Sequence, residues 1–466
     1  MPAFTGKWGL LPFAAVALVF VATRLGALLL PKGTAADRAV AGALSALAIT
    51  IVGTRVFGLF GLLTTPVLAG ALAVLTLVLV FAGRERRFAF PWRRALGLAN
   101  APLVLAAAVA VGIAVLAASW LPIWPWDSIG YHLPYVAFSL YDRTTAAVPE
   151  GIPYISTYPH DIELFMIALR AMLPDDRLVD LAQIPFALFG AIATAGIARK
   201  AGAEPETAVG AGAAWIVVPA VFLQMPTNYV DVGCAALLLS AFYFVLPQRD
   251  LALDRATQRT SFILGAVGLG LYLGSKPNAP SIATVTALFF VARAFRTKNL
   301  WPTIGTLAAS FAFGSEAFVR TFLRYGNPIW PAKVDLGPLH LPGTLDLHRL
   351  LESGANAPRL HGPLALRMVR SWVSYDAPPV FDMRYGGFGI LFIVAFAFAL
   401  FTLVRTKRAL PFGLFVCAIA APDPGLARYV LAFPALVFAF AAPCFDRTRA
   451  RGMGLAPSLG VLIGAL

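Results

Sequence analysis

The side chains best suited to chemistry lie in one stretch of the sequence, residues 124–163. It contains two of the five histidines, His132 and His160, five tyrosines, and carboxylates that include Asp127 and Asp161. Carboxylates and imidazoles are the groups that most often take up and release protons in enzymes. This stretch therefore predicts acid–base chemistry in a water-facing part of a chain whose remainder is mostly apolar.

The composition predicts a membrane protein around that stretch. Of the 466 residues, 59% are hydrophobic and only 13% are charged, and the mean hydropathy is +0.77. Apolar runs of about 18 residues or more, each long enough to cross a bilayer as a helix, recur along the chain. We predict an all-α, polytopic transmembrane bundle of about 12–14 spans. The cysteines, Cys234, Cys417 and Cys444, fall in apolar segments and are expected to be small core residues.

The basic residues set the orientation of the bundle. Six clusters of Arg and Lys fall on alternate connections between the apolar runs, which is the pattern of cytoplasmic loops. This explains the net charge of +14 without nucleic acid as a partner. The clusters are Arg84/Arg86/Arg87/Arg93/Arg94, Arg199/Lys200, Arg249/Arg255/Arg259, Arg293/Arg296/Lys298, Arg405/Lys407/Arg408 and Arg447/Arg449/Arg451. Arg24 and Arg55 are expected to snorkel to the cytoplasmic interface.

The other connections are then extracytoplasmic. They comprise the long loops 122–177 and 320–386 and three short turns, and they hold all five histidines, including His340, His348 and His361. In the first loop, residues 162–173 have the spacing of an amphipathic helix, which we expect to lie in the membrane interface. The 320–386 loop, rich in aromatics and prolines, is expected to fold against the bundle.

Three regions follow from this layout. Residues 1–100 would form N-terminal transmembrane helices, and residues 101–445 would form the catalytic core with both long outer loops. Residues 446–466 would form a basic loop and part of a last span.

Short motifs on the extracytoplasmic side resemble the GT-C superfamily of integral membrane glycosyltransferases, in particular its protein mannosyltransferase and aminoarabinose transferase-like members. The resemblance covers about residues 100–445 and depends on the order and common sidedness of the motifs. The motifs are Trp126–His132 (WDSIGYH), Tyr158–Leu164 (YPHDIEL), Asn228–Asp231 (NYVD), Lys276–Pro277, Gly326–Pro331 (GNPIWP) and Arg428–Pro434 (RYVLAFP). Many relatives carry an acidic pair in the first motif, whereas here Asp127 is followed by Ser128.

The resemblance implies a GT-C fold, with interfacial helices in the outer loops, and a hexosyl- or pentosyltransferase of the inverting kind. Its donor would be a sugar on a polyprenyl phosphate, and membrane lipids would surround it. The resemblance also implies the inner membrane of a bacterium, with the active site on the periplasmic or extracellular face. The acceptor and the sugar are not encoded in any of these motifs.

Within this framework Asp127 is the candidate catalytic base, since a transferase must deprotonate an acceptor while a phosphate leaves. The alternative role for Asp127 is structural, as a residue at the membrane interface that caps the N-terminus of the next helix. Tyr131 and His132, about one helical turn further on, could face the same cleft, and Tyr158, His160 and Asp161 are further candidates for substrate binding. His132 could orient the acceptor, join His160 and Asp161 around a divalent metal, or be structural. Their spacing matches no standard zinc signature, so we assign no metal ligand or cofactor.

Cations on the same face are candidates to bind the phosphate. Lys276 lies at a turn in an apolar stretch, where an unpaired charge is costly. Arg320, Arg324 and Arg428 open other outer segments, and Asp231 is a polar residue on an outer turn that could also contact substrate. The alternative for each cation is an ion pair, with Asp231, Asp423 or Glu316 as partners, and Glu316 and Arg320 have the i,i+4 spacing of a helical pair.

Two other classes of protein remain possible from the sequence. A transporter or lipid flippase would carry paired charges or broken helices near the bilayer midplane in matching halves, whereas here the ionisable residues gather at span ends. An O-antigen ligase or polymerase-like enzyme shares the outer-face location and lipid-linked donors, and the late 320–386 loop is compatible with it.

Overall fold

The computed structural model describes residues 9–82, 97, 100–146, 153–247, 254–346, 362–373, 387–406 and 409–450. Several sequence predictions lie outside the described residues. These are the basic cluster at 84–94, Arg249, His348, His361, the pair 407–408, the side chains of Arg447 and Arg449, and the segment 451–466.

The described chain is built almost entirely of helices, as predicted. They are α1 (Leu11–Leu29), α2 (Ala35–Leu59), α3 (Thr65–Ala82), α4 (Ala101–Trp120), a π-helix (Ser128–His132), α5 (Leu133–Tyr141), α6 (Pro153–Thr157), α7 (Asp161–Ala171), a 3-10 helix (Asp176–Ala182), α8 (Gln183–Ala201), α9 (Pro205–Ile216), α10 (Pro219–Phe222), α11 (Asp231–Val245), α12 (Arg255–Leu273), α13 (Ala279–Arg296), α14 (Leu300–Gly314), α15 (Glu316–Tyr325), α16 (Leu364–Val373), α17 (Gly389–Thr406), α18 (Ala409–Cys417), a second 3-10 helix (Ala427–Val430) and α19 (Ala432–Ala450).

Six of the helical segments in the described chain are long and apolar enough to cross a membrane. They are α1, α2, α3, α4, the continuous segment from the first 3-10 helix through α8, and α17. The shorter apolar helix α11 is buried along all fifteen of its residues, between α8 and α12. The chain is therefore an integral, multi-pass membrane protein with a central helix enclosed by its neighbours.

One end of the bundle collects the predicted cytoplasmic cations. Lys200 donates to the carbonyl oxygens of Tyr243 (2.7 Å) and Leu246 (3.0 Å), and Arg293 donates to that of Phe244 (3.1 Å). These carbonyls close the C-terminal end of α11, where the helix dipole favours positive charge. Two predicted basic connections thus meet at the same end of the bundle.

Most of the predicted segment 162–173 lies in helix α7, which ends at Ala171, but this helix forms for a different reason from the one the sequence suggested. Nine of its eleven residues are buried, and it packs against α2 and α5. Its apolar side chains therefore face protein on most sides instead of the membrane interface. Helices α2 and α5 cover it, and a sequence window does not contain those contacts.

The described parts of the 320–386 loop do fold against the bundle. After α15 the chain forms a small sheet of order β2-β1-β3, with β1 (Ala332–Leu336) antiparallel to β2 (Leu339–Leu341) and parallel to β3 (Leu345–Asp346). Helix α16 is fixed by a hydrogen bond from the Trp372 indole to the Pro424 carbonyl (2.9 Å) and an Arg367–Asp423 ion pair (3.2 Å).

Candidate functional site

A π-helix places the first acidic motif. The chain leaves α4 at Trp120, and residues 128–132 form a π-helix in which the Leu133 amide bonds to the Ser128 carbonyl. Hydrogen bonds in a π-helix run from residue i to residue i+5, so Asp127 and His132 come to lie on the same side of the chain. An α-helix at this point would have turned them apart. Such insertions are frequent at functional sites.

Asp127 is paired with a cation from the far end of the sequence. A carboxylate oxygen, Oδ2, lies 2.9 Å from Nη1 of Arg428, which belongs to the 3-10 helix before α19. The Asp127 backbone amide donates to the Tyr229 hydroxyl (3.3 Å), so the turn before α11 also contacts this residue. Both side chains of the ion pair keep a small exposed fraction, 16% and 15%. The pair is therefore enclosed but still reachable.

A second acid–cation pair lies beside the first. Lys276, in the turn after α12, forms an ion pair with Asp231, the first residue of α11. The Tyr429 ring contacts both cations, with Lys276 Nζ 4.3 Å and Arg428 Cζ 5.0 Å from its centroid. Cation–π contacts of this kind favour a fixed position for each charge. The two pairs therefore form one cluster of four charges, which we call the charge cluster: Asp127, Arg428, Asp231 and Lys276.

A small cavity of about 20 Å³ adjoins the charge cluster. Asp231, Lys276, Arg428 and Tyr429 form its polar part. Its remaining wall is largely apolar and comes from α11, α12 and the segment around α18 and α19, with Cys234, Leu238, Tyr272 and Ala418 among the lining residues. The lining of this one cavity therefore combines cationic groups with an apolar surface.

Asp127 is electrostatically tuned by this arrangement. Burial raises the pKa of its carboxyl, but the nearby positive charge, Arg428 foremost, outweighs burial and lowers the pKa below its ordinary value. Asp127 is therefore ionised at neutral pH, and its strength as a base depends on where the Arg428 guanidinium lies.

Glu163 joins the two histidines behind Asp127. Its Oε1 lies 2.7 Å from Nδ1 of His132 and 3.0 Å from Nδ1 of His160, and all three side chains are buried. Nε2 of His160 lies 2.8 Å from the carbonyl oxygen of Ile155 on α6. A carbonyl can only accept, so His160 donates from Nε2. Glu163 thus connects α7, the π-helix and, through His160, α6.

Substituting Glu163 should destabilise the protein measurably. In Glu163→Gln a neutral amide replaces the carboxylate that both imidazoles contact, and a buried polar group left without a good partner is costly. We expect the free energy of unfolding in mixed detergent micelles to fall by about 2–4 kcal/mol. Asp335→Asn, at an exposed ion pair in β1, is the matched control and should change it by about 0.5 kcal/mol or less.

The destabilisation in Glu163→Gln should also depend on pH. Burial raises the pKa of Glu163, but His160 and His132 outweigh it and lower the pKa from 4.5 to about 2. A carboxyl with a lowered folded-state pKa stabilises the fold above its unfolded pKa, and this contribution is lost as the pH falls. The stability difference between wild type and Glu163→Gln should be complete above about pH 4.5 and shrink towards pH 2. A constant difference over this range would contradict this assignment.

The expectation that Arg55 snorkels is wrong, because its guanidinium is mostly buried in ion pairs within the bundle, at the end that holds Asp161 and Lys276. It pairs with Asp161 (2.6 Å) and with Glu316 (2.9 Å), and Glu316 in turn pairs with Arg320 (2.9 Å) as its spacing predicted. The buried carboxylate of Asp161 and the exposed one of Glu316 hold the guanidinium there, because an unpaired buried charge is far more costly. Asp161 is thus bound to α2, and its amide also bonds to the Gly274 carbonyl (2.9 Å) near Lys276.

The remaining candidates are divided between two places. Tyr131 and Tyr158 pack their rings together (5.6 Å between centroids) in a cluster with Tyr154 next to His132. Arg320 and Arg324 line a separate open groove along α14 and α15. The structure therefore brings Asp127, Asp231, Lys276 and Arg428 into one cluster, with the histidines directly behind it.

A metal set is not apparent in the part of the chain that the structure describes. No three His, Cys, Asp or Glu side chains converge there in an arrangement that could hold an ion. His132 and His160 both turn their Nδ1 atoms to Glu163. The three cysteines are free and buried, as predicted.

Sequence reasoning missed the roles of Glu163, Arg55 and Tyr229. Glu163 lies in the segment 162–173, for which the sequence predicts only an amphipathic helix. A carboxylate three residues after His160, on a helix that is apolar elsewhere, was an available signal. No local signal connects Arg55 to Asp161, because 106 residues separate them.

Comparisons with known proteins give similarities to solved structures alone. No family model matches the chain, and no curated protein matches it. The structure is similar to ArnT from Cupriavidus metallidurans bound to undecaprenyl phosphate, with a TM-score of 0.48 and 14% sequence identity over 77% of this chain and 63% of that one. It is also similar to the oligosaccharyltransferase of Archaeoglobus fulgidus in the apo form, with a TM-score of 0.40 and 14% identity over 79% of this chain and 52% of that one.

The chain thus spans less than two thirds of the length of either solved structure. Its own fold and site define a polytopic helical membrane protein with a charge cluster and an amphiphilic cavity at one end of the bundle.

Proposed function

We propose that this protein is a GT-C-type glycosyltransferase that moves a sugar from a polyprenyl-phosphate donor to an acceptor on the extracytoplasmic face of the membrane. The observation that carries the proposal is the meeting of Asp127 with Arg428, 301 residues away, beside Lys276. Such a reaction needs a carboxylate that takes up the acceptor proton and cations that bind the phosphate, and this site has one such carboxylate and two such cations.

The cavity supports a donor with an anionic head and a hydrocarbon tail. Lys276 and Arg428 line it on the polar side, and Cys234, Leu238 and Tyr272 continue it as an apolar wall. A soluble sugar nucleotide has no hydrocarbon chain that could pack against such a wall. A lipid phosphate has both kinds of surface, and the cavity of about 20 Å³ must widen to admit its head and its chain.

In the proposed reaction Asp127 takes the proton from a hydroxyl or amine of the acceptor. The freed electron pair forms a bond to the anomeric carbon, and the bond from that carbon to the phosphate oxygen breaks. The carrier phosphate leaves with the bonding electrons, and Arg428 and Lys276 stabilise its growing charge. A single displacement of this kind inverts the configuration at the anomeric carbon, and it uses one carboxylate as base.

The location follows from the charge distribution. Lys200 and Arg293 lie at the end of α11 opposite to Asp231, so the charge cluster lies at the end away from these two cations. Because cytoplasmic ends collect Lys and Arg, we place the site at the periplasmic or extracellular face of a bacterial inner membrane.

The proposal is tested with purified protein in liposomes and a radiolabelled sugar on a short polyprenyl phosphate. We expect loss of the lipid-linked sugar, with stoichiometric release of polyprenyl phosphate, when extracts of cell-envelope lipids, glycans or proteins are added as acceptors. Movement of the intact donor across the bilayer without its consumption would favour a flippase and contradict the proposal. No consumption and no movement with any acceptor class would also count against it.

A further inference from the structure

Both cations proposed to bind the phosphate already have carboxylate partners within the protein. Arg428 pairs with Asp127 at 2.9 Å, and Lys276 pairs with Asp231. The charge cluster therefore sums to zero with all four groups ionised. A donor phosphate that binds there must compete with two carboxylates, one of which is the proposed base.

We propose that Asp127 and Asp231 occupy the positions of the donor phosphate oxygens and exchange with them when the donor binds. The phosphate takes Arg428 from Asp127 and Lys276 from Asp231, and Asp127 becomes available to the acceptor only after this exchange. This inference depends on the proposed function and adds an order to it, with the donor binding before the acceptor is activated.

The surroundings of the cations allow such an exchange. Arg428 lies over the rings of Tyr429 and Tyr229 (5.0 and 6.0 Å to the centroids), and its Nη2 donates to the Tyr429 hydroxyl (3.3 Å). Lys276 also lies over the Tyr429 ring, with its Nζ 4.3 Å from the centroid. These aromatic contacts do not depend on the carboxylates, so each cation can change its anionic partner while its position is kept. Both cations stay paired at the end, and the cost of the exchange falls on the carboxylates, above all on Asp231, whose side chain is only 2% exposed.

The exchange also changes Asp127 in the direction that catalysis requires. In the pair with Arg428 its carboxylate is stabilised and is a weak base. When the phosphate takes the place of Asp127 at the guanidinium, that stabilisation is reduced and the carboxylate becomes more basic. When an acceptor arrives without a donor, the Asp127 carboxylate is still ion-paired with Arg428 and is a weak base.

Asp231 has a corresponding role after transfer. A phosphodiester donor carries one negative charge, whereas the released phosphate monoester carries about 1.5–2 near pH 7. Two cations alone would hold the product more tightly than the donor. Return of Asp231 to Lys276 weakens that hold and favours product release, so Asp231 would be a positioning residue for turnover.

The test measures binding of a short-chain polyprenyl monophosphate to the purified full chain by isothermal titration calorimetry. In Asp231→Asn the competitor for Lys276 loses its charge, so the phosphate should bind about tenfold more tightly than to wild type. Asp127→Asn should tighten binding in the same way through Arg428, which keeps the test decisive if Asp231→Asn does not fold. Asp335→Asn makes the same change of net charge at an exposed pair and should bind like wild type.

The outcomes separate this inference from the proposed function. Binding by wild type without any tightening in Asp127→Asn or Asp231→Asn overturns the exchange and leaves the transferase intact. If the phosphate bound equally more tightly to Asp335→Asn, the effect would be due to net charge, and this would also overturn the exchange. No binding of the phosphate to wild type or any variant would overturn both proposals.

Discussion

Asp127→Asn should lower the rate of sugar transfer by about 10²–10⁴-fold, the usual contribution of a positioned base. Asparagine has nearly the same shape but cannot take up the acceptor proton. The loss should fall on kcat, and the KM for the donor should stay the same or decrease, because the amide competes less well for Arg428. The measurement is the initial rate of polyprenyl phosphate release in liposomes over a range of donor concentrations.

Two controls accompany that measurement. Asp335→Asn should keep the wild-type rate, and the thermal unfolding of Asp127→Asn should show that the variant is folded. A folded Asp127→Asn variant with full activity would remove Asp127 from the mechanism. A higher KM with unchanged kcat would assign it to donor binding instead.

Arg428→Gln should lower the rate by about 10²–10³-fold, since one charged donor to the leaving group is lost. Arg428→Lys should recover part of the rate, because it keeps the charge but not the planar fork that binds a phosphate through two nitrogens. Arg367→Gln is the matched control, since Arg367 also pairs with a carboxylate, Asp423, at 3.2 Å. It should leave kcat close to that of wild type.

Arg428→Gln should also shift the pH dependence of kcat/KM. Arg428 lowers the pKa of Asp127 in the free protein, so its removal raises that pKa. The base must be deprotonated to act, and the loss of activity on acidification should therefore begin at a higher pH in the variant. If the decrease of kcat/KM at acidic pH were the same in Arg428→Gln as in wild type, a group other than Asp127 would control that decrease. A wild-type rate in Arg428→Gln would exclude Arg428 from stabilising the leaving phosphate.

Much of the architecture could be predicted from the sequence because membranes impose simple physical rules. The apolar runs at about 9–30, 39–58, 101–121 and 387–404 predicted α1, α2, α4 and α17 with boundaries within a few residues. A bilayer requires a continuous hydrocarbon-compatible helix, which is why such runs are informative. The alternation of basic connections grouped Lys200 and Arg293 at one end of the bundle, and the structure places them there.

The local motifs also identified useful positions. Lys276 was expected in a turn and follows α12 as expected, and Glu316 and Arg320 form the i,i+4 pair that their spacing predicted. The Asp127 and Arg428 motifs both belong to the resemblance to one superfamily, and their side chains are in contact in the structure.

The errors have a common cause in long-range packing. Residues 162–173 have the pattern of an interfacial helix, but α2 and α5 cover the helix that they form, and no window of the sequence contains those partners. Arg55 looked like a snorkelling residue because its partners, Asp161 and Glu316, lie 106 and 261 residues away. The π-helix at 128–132 was also not predictable, since its extra residue per turn has no compositional signature.

By itself, the sequence determined that the chain crosses the membrane many times, which connections are basic, and which few polar side chains interrupt the apolar surroundings. Those properties follow from hydropathy and charge, which act residue by residue. The tertiary structure alone decided that Asp127 pairs with Arg428, that Asp231 pairs with Lys276, and that Glu163 lies between two histidines. Pairing of buried charges depends on distances of a few ångströms between helices far apart in the chain, and only the packed bundle fixes them.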